Sequence, residues 1–446
     1  MLQYPHQIIT DGTTVISYED AIKKAEIIAK DLTEKVYCIS CKSELNTAIG
    51  ILACFAAKKT AIPLSERYGK QHCGKIIEAA SPDAMITDYR GKLLVADFEN
   101  GEAGSNLPED IRLIMYTSGT TGKPKGAMLS ENNIISNLIS VLEYFEIKET
   151  DRFLIARPLY HCAVLTGEFL VALIKGSAIL FFSESFSAFR IAQTMSDKNA
   201  TVITGTPTTI SLIGQMYNRL FGKSFQGTVV ASGESMHSSN AKKIMCYYEN
   251  SIIYYVYGMT ETSTRISCLP PHLFSSYYNS VGFPLCGVSV KCVDDNGKTV
   301  AAGEEGELLV KGSNVMFGYY KNPALTKKVI EDGWLHSGDV GVIDEQGMIF
   351  IKGRKDNMIN RSGMNIYPQE IENAIKTSPG VEEAIVYSKK AEDFTETIVI
   401  KVVAPHLSRN DVFSICKEKL PLYQMPDQIE MVDSIPKNAS GKLLRH

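Results

Sequence analysis

Two hydrophobic periods take turns along this chain. Tyr18 to about Leu32 carries apolar residues at helical spacing behind Ser17, a hydroxyl residue able to cap a helix. The short apolar runs Val36–Cys41 and Ala61–Leu64 read as strands, followed by helical stretches at Glu44–Ala57 and Gln71–Ala80. Ile111 to Met115 is a further strand, and Ser130 caps a helix whose Ile134, Ile135, Leu138, Val141, Leu142 and Phe145 keep helical spacing. The rhythm continues through strands at Phe153–Arg157, Ala178–Phe182, Thr201–Thr204, Val229–Ala231 and Ile252–Val256. Helices are expected at Gly167–Ile174, Phe189–Asp197 and Thr208–Leu220. Such alternation predicts layered α/β sheets that are largely parallel.

From about Ser280 the texture changes to hairpins, with strands at Val288–Val293, Gly306–Lys311, Asp339–Ile343 and Met348–Lys352, which predicts a β subdomain over about 280–353. A small α+β unit follows. It has helices Pro368–Lys376 and Arg409–Lys419, strands Ala384–Tyr387 and Ile398–Val403, and an irregular tail. Asp97–Asp110, rich in Gly, Asn, Glu and Pro, reads as a loop.

Composition narrows the class. The chain has 446 residues, 44% hydrophobic and 22% charged, with a net charge of -4, as expected for a soluble protein of two or three domains. No segment concentrates Lys and Arg, which argues against nucleic acid, and no apolar run reaches the roughly eighteen residues that span a bilayer. The first residues lack a signal pattern, so a cytoplasmic enzyme is expected. Ten scattered cysteines make no disulfide scaffold, and Cys38-Ile39-Ser40-Cys41 lies in a strand whose odd spacing points the two thiols apart.

The candidate chemistry starts at Tyr116-Thr117-Ser118-Gly119-Thr120-Thr121-Gly122-Lys123-Pro124-Lys125-Gly126. Hydroxyls, glycines and two lysines in so short a span supply the donors and positive charge that suit a polyphosphate. The stretch fails the common phosphate-loop pattern, because only two residues separate Gly119 from Gly122 and Pro124 follows Lys123 where a hydroxyl residue should open a helix. It is therefore expected to wrap phosphates without a helix N-terminus beneath it. Two strand ends, at Ser232-Gly233-Glu234-Ser235 and Tyr257-Gly258-Met259-Thr260-Glu261-Thr262, carry polar turns where α/β sheets place ligands.

These stretches, with Pro158 to His161, Gly333 to Asp339, Gly353-Arg354-Lys355-Asp356 and Pro436 to Lys442, occur in one order over nearly the whole chain. The set resembles the AMP-forming superfamily of acyl-CoA synthetases, carrier-protein adenylating enzymes and luciferases. The resemblance implies a large N-terminal AMP-binding domain over 1–353, a hinge at 354–356 and a mobile C-terminal domain over 357–446. It also implies a two-step reaction. A carboxylate attacks the α-phosphate of ATP and releases pyrophosphate, then a thiol takes the acyl group.

Further implications follow residue by residue. Thr117, Ser118, Gly119, Thr120, Thr121, Gly122 and Lys125 would hold the β- and γ-phosphates. Gly233, Glu234, Tyr257 and Gly258 would line the adenine side, and Asp339 with Arg354 would hold the ribose. Thr260 and Glu261 are catalytic positions, with Glu261 holding Mg2+. His161 would lie near the acyl carboxylate and α-phosphate. Lys442 would reach both during adenylation. Asp356 would be the hinge, and Gly363 would give room to the pantetheine arm. The acyl pocket would draw on His161–Gly167, Thr206–Thr209, Ser232 and Met259–Arg265.

No aspartate near Pro158–His161 is placed to hold an α-amino group, so a simple aliphatic or aromatic carboxylic acid is expected rather than an amino acid. The thiol is free CoA, or in the alternative the phosphopantetheine of an acyl carrier protein. A non-catalytic binding protein would be favoured by loss of Lys442, Glu261 or Asp339, and all three are present.

Overall fold

A computed structural model describes residues 7–98, 107–118, 124–361, 364–390 and 396–436. Two open α/β sheets share a layer of helices. The seven-stranded sheet runs Gly318–Tyr319, Pro124–Ser130, Ile111–Ser118, Thr60–Pro63, Val36–Ser40, Ala84–Tyr89 and Lys92–Asp97. The nine-stranded sheet runs Phe283–Pro284, Ser267–Leu269, Ile252–Tyr257, Thr228–Ser232, Val202–Gly205, Arg152–Ile155, Ala178–Phe181, Ile8–Thr10 and Val15–Ser17. Their central strands are parallel.

The period-2 pattern decides which side chain enters which layer. Tyr37 and Ile39 face a core shared with Phe153, Ile155 and Ile179 of the other sheet, whereas Val36 and Cys38 face the helix Lys70–Ala80. Leu154, Ile203 and Val229 face the opposite side, against helices Ala188–Asp197, Pro207–Phe221 and Ser238–Tyr247. In the shared layer the helix Glu44–Ala56 buries most of its circumference, as a helix covered on two sides must.

Local chemistry sets the element ends. Ser17 and Ser130 cap their helices as expected, Ser130 through a reciprocal box with Asn133. Thr206 does the same for the helix opening at Pro207. The helices Pro368–Lys376 and Arg409–Lys419 span the expected residues.

Two expectations need correction, and some elements lie where none was expected. Residues Thr117, Ser118, Lys125 and Gly126 are not loop but paired antiparallel strand, Thr117 opposite Lys125 and Tyr116 opposite Gly126. Gly126 permits this, because a Cβ there would lie 2.7 Å from Ile114 Cγ2 and 2.9 Å from the Tyr116 ring. The tail contains a strand, Gln428–Met431, parallel to Glu396–Val403. A hairpin, Ala84–Tyr89 with Lys92–Asp97, precedes the loop expected at Asp97–Asp110; its outer strand is largely exposed, and its run Leu93-Leu94-Val95-Ala96 does not alternate as a half-buried strand does. The helices Ser238–Tyr247 and Pro323–Val329 were hidden by polar sequences.

Beyond the two large sheets, Val288–Val293, Glu305–Gly312, Ile330–Glu331, Trp334–Ile343 and Ile349–Arg354 form a five-stranded antiparallel sheet. It is joined to the nine-stranded sheet at Gly282, which bridges Ile349 and takes its N–H at 2.9 Å. Gly282 has φ +76°, and a Cβ there would lie 1.9 Å from the Cys268 carbonyl oxygen. The C-terminal unit has its own core of Ile359, Ile371, Val386, Ile400, Val412 and Cys416.

Because the Cys268–Leu269 backbone blocks a side chain at this joint and φ is positive there, Gly282→Ala is expected to destabilise the protein by about 2 kcal/mol or more. Urea unfolding measures it. An unchanged midpoint would mean that the joint relaxes freely.

Candidate active site

The site is built where strands of the nine-stranded sheet end against the five-stranded sheet. Tyr257 is the last residue of Ile252–Tyr257, and its hydroxyl donates to Asp339 Oδ2 at 2.5 Å. Asp339 lies in Trp334–Ile343, directly opposite Arg354 across the hairpin. Arg354 Nη1 donates to Asp339 Oδ1 at 3.3 Å and to the Ser337 carbonyl at 2.9 Å. Ser337 Oγ in turn accepts the Asp339 N–H at 3.0 Å. Gly338, with φ +69°, leaves room for the guanidinium, since a Cβ there would lie 2.8 Å from Arg354 Nη2. Burial and the adjacent Asp339 carboxylate push the Tyr257 phenol well above its ordinary value, so Tyr257 remains a neutral donor.

This constellation opens into a cleft of about 880 Å3. Its wall carries Gly233, Glu234, Tyr257, Gly258, Asp339 and Arg354, which the structure thus brings together. Gly258 is required by its surroundings, since a Cβ there would lie 1.7 Å from the Thr264 carbonyl oxygen. Glu234 follows the strand Thr228–Ser232, and its carbonyl accepts the Tyr255 hydroxyl at 3.0 Å. The facing wall comes from the C-terminal unit through Gln369, Glu372, Lys376 and Glu383. Tyr367 donates to Glu305 at 2.5 Å and Lys352 pairs with Glu370 at 3.2 Å, which holds that wall to the five-stranded sheet.

Thr260 and Glu261 form a short turn after Gly258 and Met259, beside the Pro124–Ser130 strand. Glu261 Oε1 accepts the Tyr319 hydroxyl at 2.7 Å, and its carbonyl accepts the Met316 N–H at 2.8 Å. Tyr319 pairs with Ala127 in the hairpin that begins at Ile111, so Glu261 is held next to that hairpin. Thr117, Ser118 and Lys125 lie at the end of the hairpin where its two strands are connected, away from the Ile111–Ser130 pair. Gly119, Thr120, Thr121 and Gly122 lie outside the described residues, as do Gly363 and Lys442. Asp356 is exposed in the turn Lys355–Asn357, 3.9 Å from Arg354 Nη2.

His161 precedes the helical segment that starts at Cys162 and edges against Tyr160, with ring centroids 5.4 Å apart. Burial, aided by the Arg157 charge, holds its imidazole neutral with a pKa down to about 3. The stretch is anchored by Glu44, a buried carboxylate that accepts the Leu159 N–H at 3.1 Å. Arg157 pairs with the fully buried Glu168 at 2.6 Å.

Sequence reasoning missed Glu44, Glu168 and Tyr319, whose roles depend on partners at least eleven residues away. Only Gly318-Tyr319 lay near a usable signal, the helix start Asn322-Pro323.

Residues 3–320 match the family of AMP-binding enzymes, and residues 370–442 match the AMP-binding enzyme C-terminal domain. The chain is 31% identical over 424 residues to the 2-succinylbenzoate–CoA ligase of Bacillus licheniformis, covering 91% of this chain and 87% of that one. It is 30% identical over 453 residues to the long-chain-fatty-acid–CoA ligase of Salmonella typhi, covering 99% and 77%. With the feruloyl-CoA synthase of an Amycolatopsis species it shares 32% over 374 residues, covering 83% and 75%.

Among solved structures, ATP-bound MatB from Rhodopseudomonas palustris superposes with a TM-score of 0.86 at 26% identity, covering 99% of this chain and 95% of that one. The o-succinylbenzoate CoA synthetase of Bacillus subtilis, in complex with ATP and magnesium, gives 0.83 at 25% identity, covering 99% and 96%. The fold, the ordered motifs and these matches agree: the chain belongs to the AMP-binding enzymes, the AMP-forming acid–thiol ligases of the acyl-CoA synthetase superfamily.

Proposed function

We propose that this protein converts a carboxylic acid and ATP to acyl-AMP and pyrophosphate, then transfers the acyl group to CoA. The reading rests chiefly on the Tyr257–Asp339–Arg354 constellation, which presents an oriented carboxylate to the cleft. An ionised carboxylate only accepts hydrogen bonds, and each oxygen can take more than one donor. Tyr257 on Oδ2 and Arg354 on Oδ1 orient the Asp339 carboxylate, which would accept both ribose hydroxyls. Adenine then lies against Gly233, Glu234, Tyr257 and Gly258. The chain from sugar to triphosphate runs toward Glu261 and the hairpin end at Thr117, Ser118 and Lys125, and Gly119, Thr120, Thr121 and Gly122 would hold the β- and γ-phosphates.

Glu261 offers a hard carboxylate oxygen beside that hairpin, a donor type that fits Mg2+. When bound, the ion neutralises charge on the phosphate oxygens. Thr260, next to it, donates its hydroxyl toward the α-phosphate. His161 acts as a neutral wall of the acyl pocket rather than a proton donor. Lys442 brings positive charge to the carboxylate and α-phosphate.

The chain divides into an AMP-binding domain over 1–353, a hinge at 354–356 and a C-terminal domain over 357–446, with Asp356 as the pivot and Gly363 lining the thiol channel after the turn. The relatives named CoA ligases support CoA as the acceptor, and a simple aliphatic or aromatic acid as substrate fits their range. All ten cysteines are free thiols, as a cytoplasmic setting would have them.

A unit charge about 4 Å from its partner is worth about 4 kcal/mol at an effective dielectric near 20. On that scale Lys442→Ala is expected to slow adenylation about a hundredfold or more, while thioester formation from supplied acyl-AMP is spared. Pyrophosphate exchange and CoA-release assays on the separate half-reactions test this; equal losses in both would refute the role. Asp356→Pro is expected to leave exchange intact and abolish transfer to CoA, and a variant that still forms the thioester would remove Asp356 as the pivot.

Since His161 stays neutral down to about 3, His161→Asn should leave the pH profile of adenylation without a change near the ordinary histidine value of about 6.5. Folded-state stabilisation from this depressed group is full above about 6.5 and falls as pH drops below it, because only the unfolded chain then gains the proton. Loss of an existing inflection in the variant's profile would make His161 a titrating participant.

A further inference from the structure

Four residues beyond Glu261, the chain buries a cation that the reaction as described does not use. Arg265 is 2% exposed. The backbone reaches it through Ser263 and Thr264 at φ 53° and 114°, and a β-branched residue at positive φ is strained. The turn is held in place: Thr166 Oγ1 donates to the Ser263 carbonyl at 2.9 Å, and Ser263 Oγ donates to the Asn314 carbonyl at 2.9 Å.

Opposite it, the helix after His161 widens into a π-turn over Leu165–Phe169, and such turns are frequent at functional sites. Gly167 within that turn makes space for the guanidinium, since a Cβ there would lie 2.8 Å from Arg265 Nη2.

The charge is not neutralised by the protein. Glu168, beside Gly167, is taken by Arg157 at 2.6 Å, and among the described residues no carboxylate pairs with Arg265. Its side-chain hydrogen-bond partner is the neutral Tyr144 hydroxyl, while Arg265 Nε has no partner. The amides of Asn137 and Asn314 both donate to the Arg265 carbonyl, at 2.9 and 3.0 Å, and both of their Oδ1 atoms are buried without a partner. An uncompensated buried cation is costly, and an apolar residue of similar volume would avoid that cost. A strained turn, a glycine that leaves space and a guanidinium with no carboxylate partner among the described residues therefore converge on one place, between the His161 helix and the Glu261 turn.

We propose that Arg265 is the counter-ion for a second carboxylate carried by the acid substrate, and hence that this ligase activates a dicarboxylic acid. The inference rests on the ligase reading above. The carboxylate to be adenylated stays at the Glu261 end, and the distal one supplies the missing partner of Arg265 through a charge-assisted bidentate pair.

Pyrophosphate exchange with matched acid pairs tests it: glutarate against valerate, adipate against caproate, and 2-succinylbenzoate against benzoylpropionate. The wild-type enzyme is expected to favour the dicarboxylate in at least one pair by about a hundredfold in kcat/KM, chiefly through KM. Arg265→Met should abolish that preference, with Arg265→Lys between the two. Exchange that prefers the monocarboxylate in every pair overturns the inference and leaves the ligase reading standing, whether or not the variants fold. A preference that survives in folded Arg265→Met also overturns it. No exchange with any acid would sink the ligase reading and this inference together.

Discussion

A single carboxylate, Asp339, joins the parts of this protein that must act together. Tyr257 grips it from the end of the nine-stranded sheet, and Arg354 grips it from the last strand before the C-terminal unit. Buried charge is tolerated only where hydrogen bonds compensate it, and here the compensation comes from two different sheets. The geometry of the cleft therefore depends on how the five-stranded sheet docks, which depends on the backbone contact at Gly282. Arg354 is also where the strand ends and the exposed turn with Asp356 begins. One residue thus belongs both to the cleft wall and to the start of the C-terminal segment.

The segment around His161 is organised by buried polar groups of a different kind. Glu44 holds the Leu159 N–H, and Glu168 holds Arg157, so the stretch from Arg157 to His161 is fixed by carboxylates from two helical segments in the layer between the sheets. His161 stays neutral in this setting. Beyond it the π-turn and Gly167 make room that Arg265 fills. The cleft wall thus presents a carboxylate, Asp339, and the buried layer beside the His161 segment presents a guanidinium, Arg265.

Much of the fold was legible because its signals are local. The caps at Ser17 and Ser130, the helix opening at Pro368 and the alternation in Val36–Ser40 are each decided within a few residues. The errors came where a signal is absent or overridden. The outer strand Lys92–Asp97 faces solvent, and its run Leu93-Leu94-Val95-Ala96 lacks the alternation that marks a half-buried strand. Thr117 and Lys125 read as loop by composition, yet cross-strand pairing and the packing of Tyr116 on Gly126 make them strand.

The sequence by itself determined the class of protein and most residues of the candidate site, because the ordered glycine, hydroxyl and acidic motifs are contiguous and each needs only its neighbours to be recognised. Tertiary structure alone decided which of those residues meet. That Tyr257 bonds Asp339 across 82 residues, that Tyr319 supports Glu261 across 58, and that Arg265 lies over Gly167 are consequences of packing between distant segments. Periodicity and propensity carry no record of such contacts. They specify the face a side chain takes, and only the docking of sheets and helices specifies what stands opposite it.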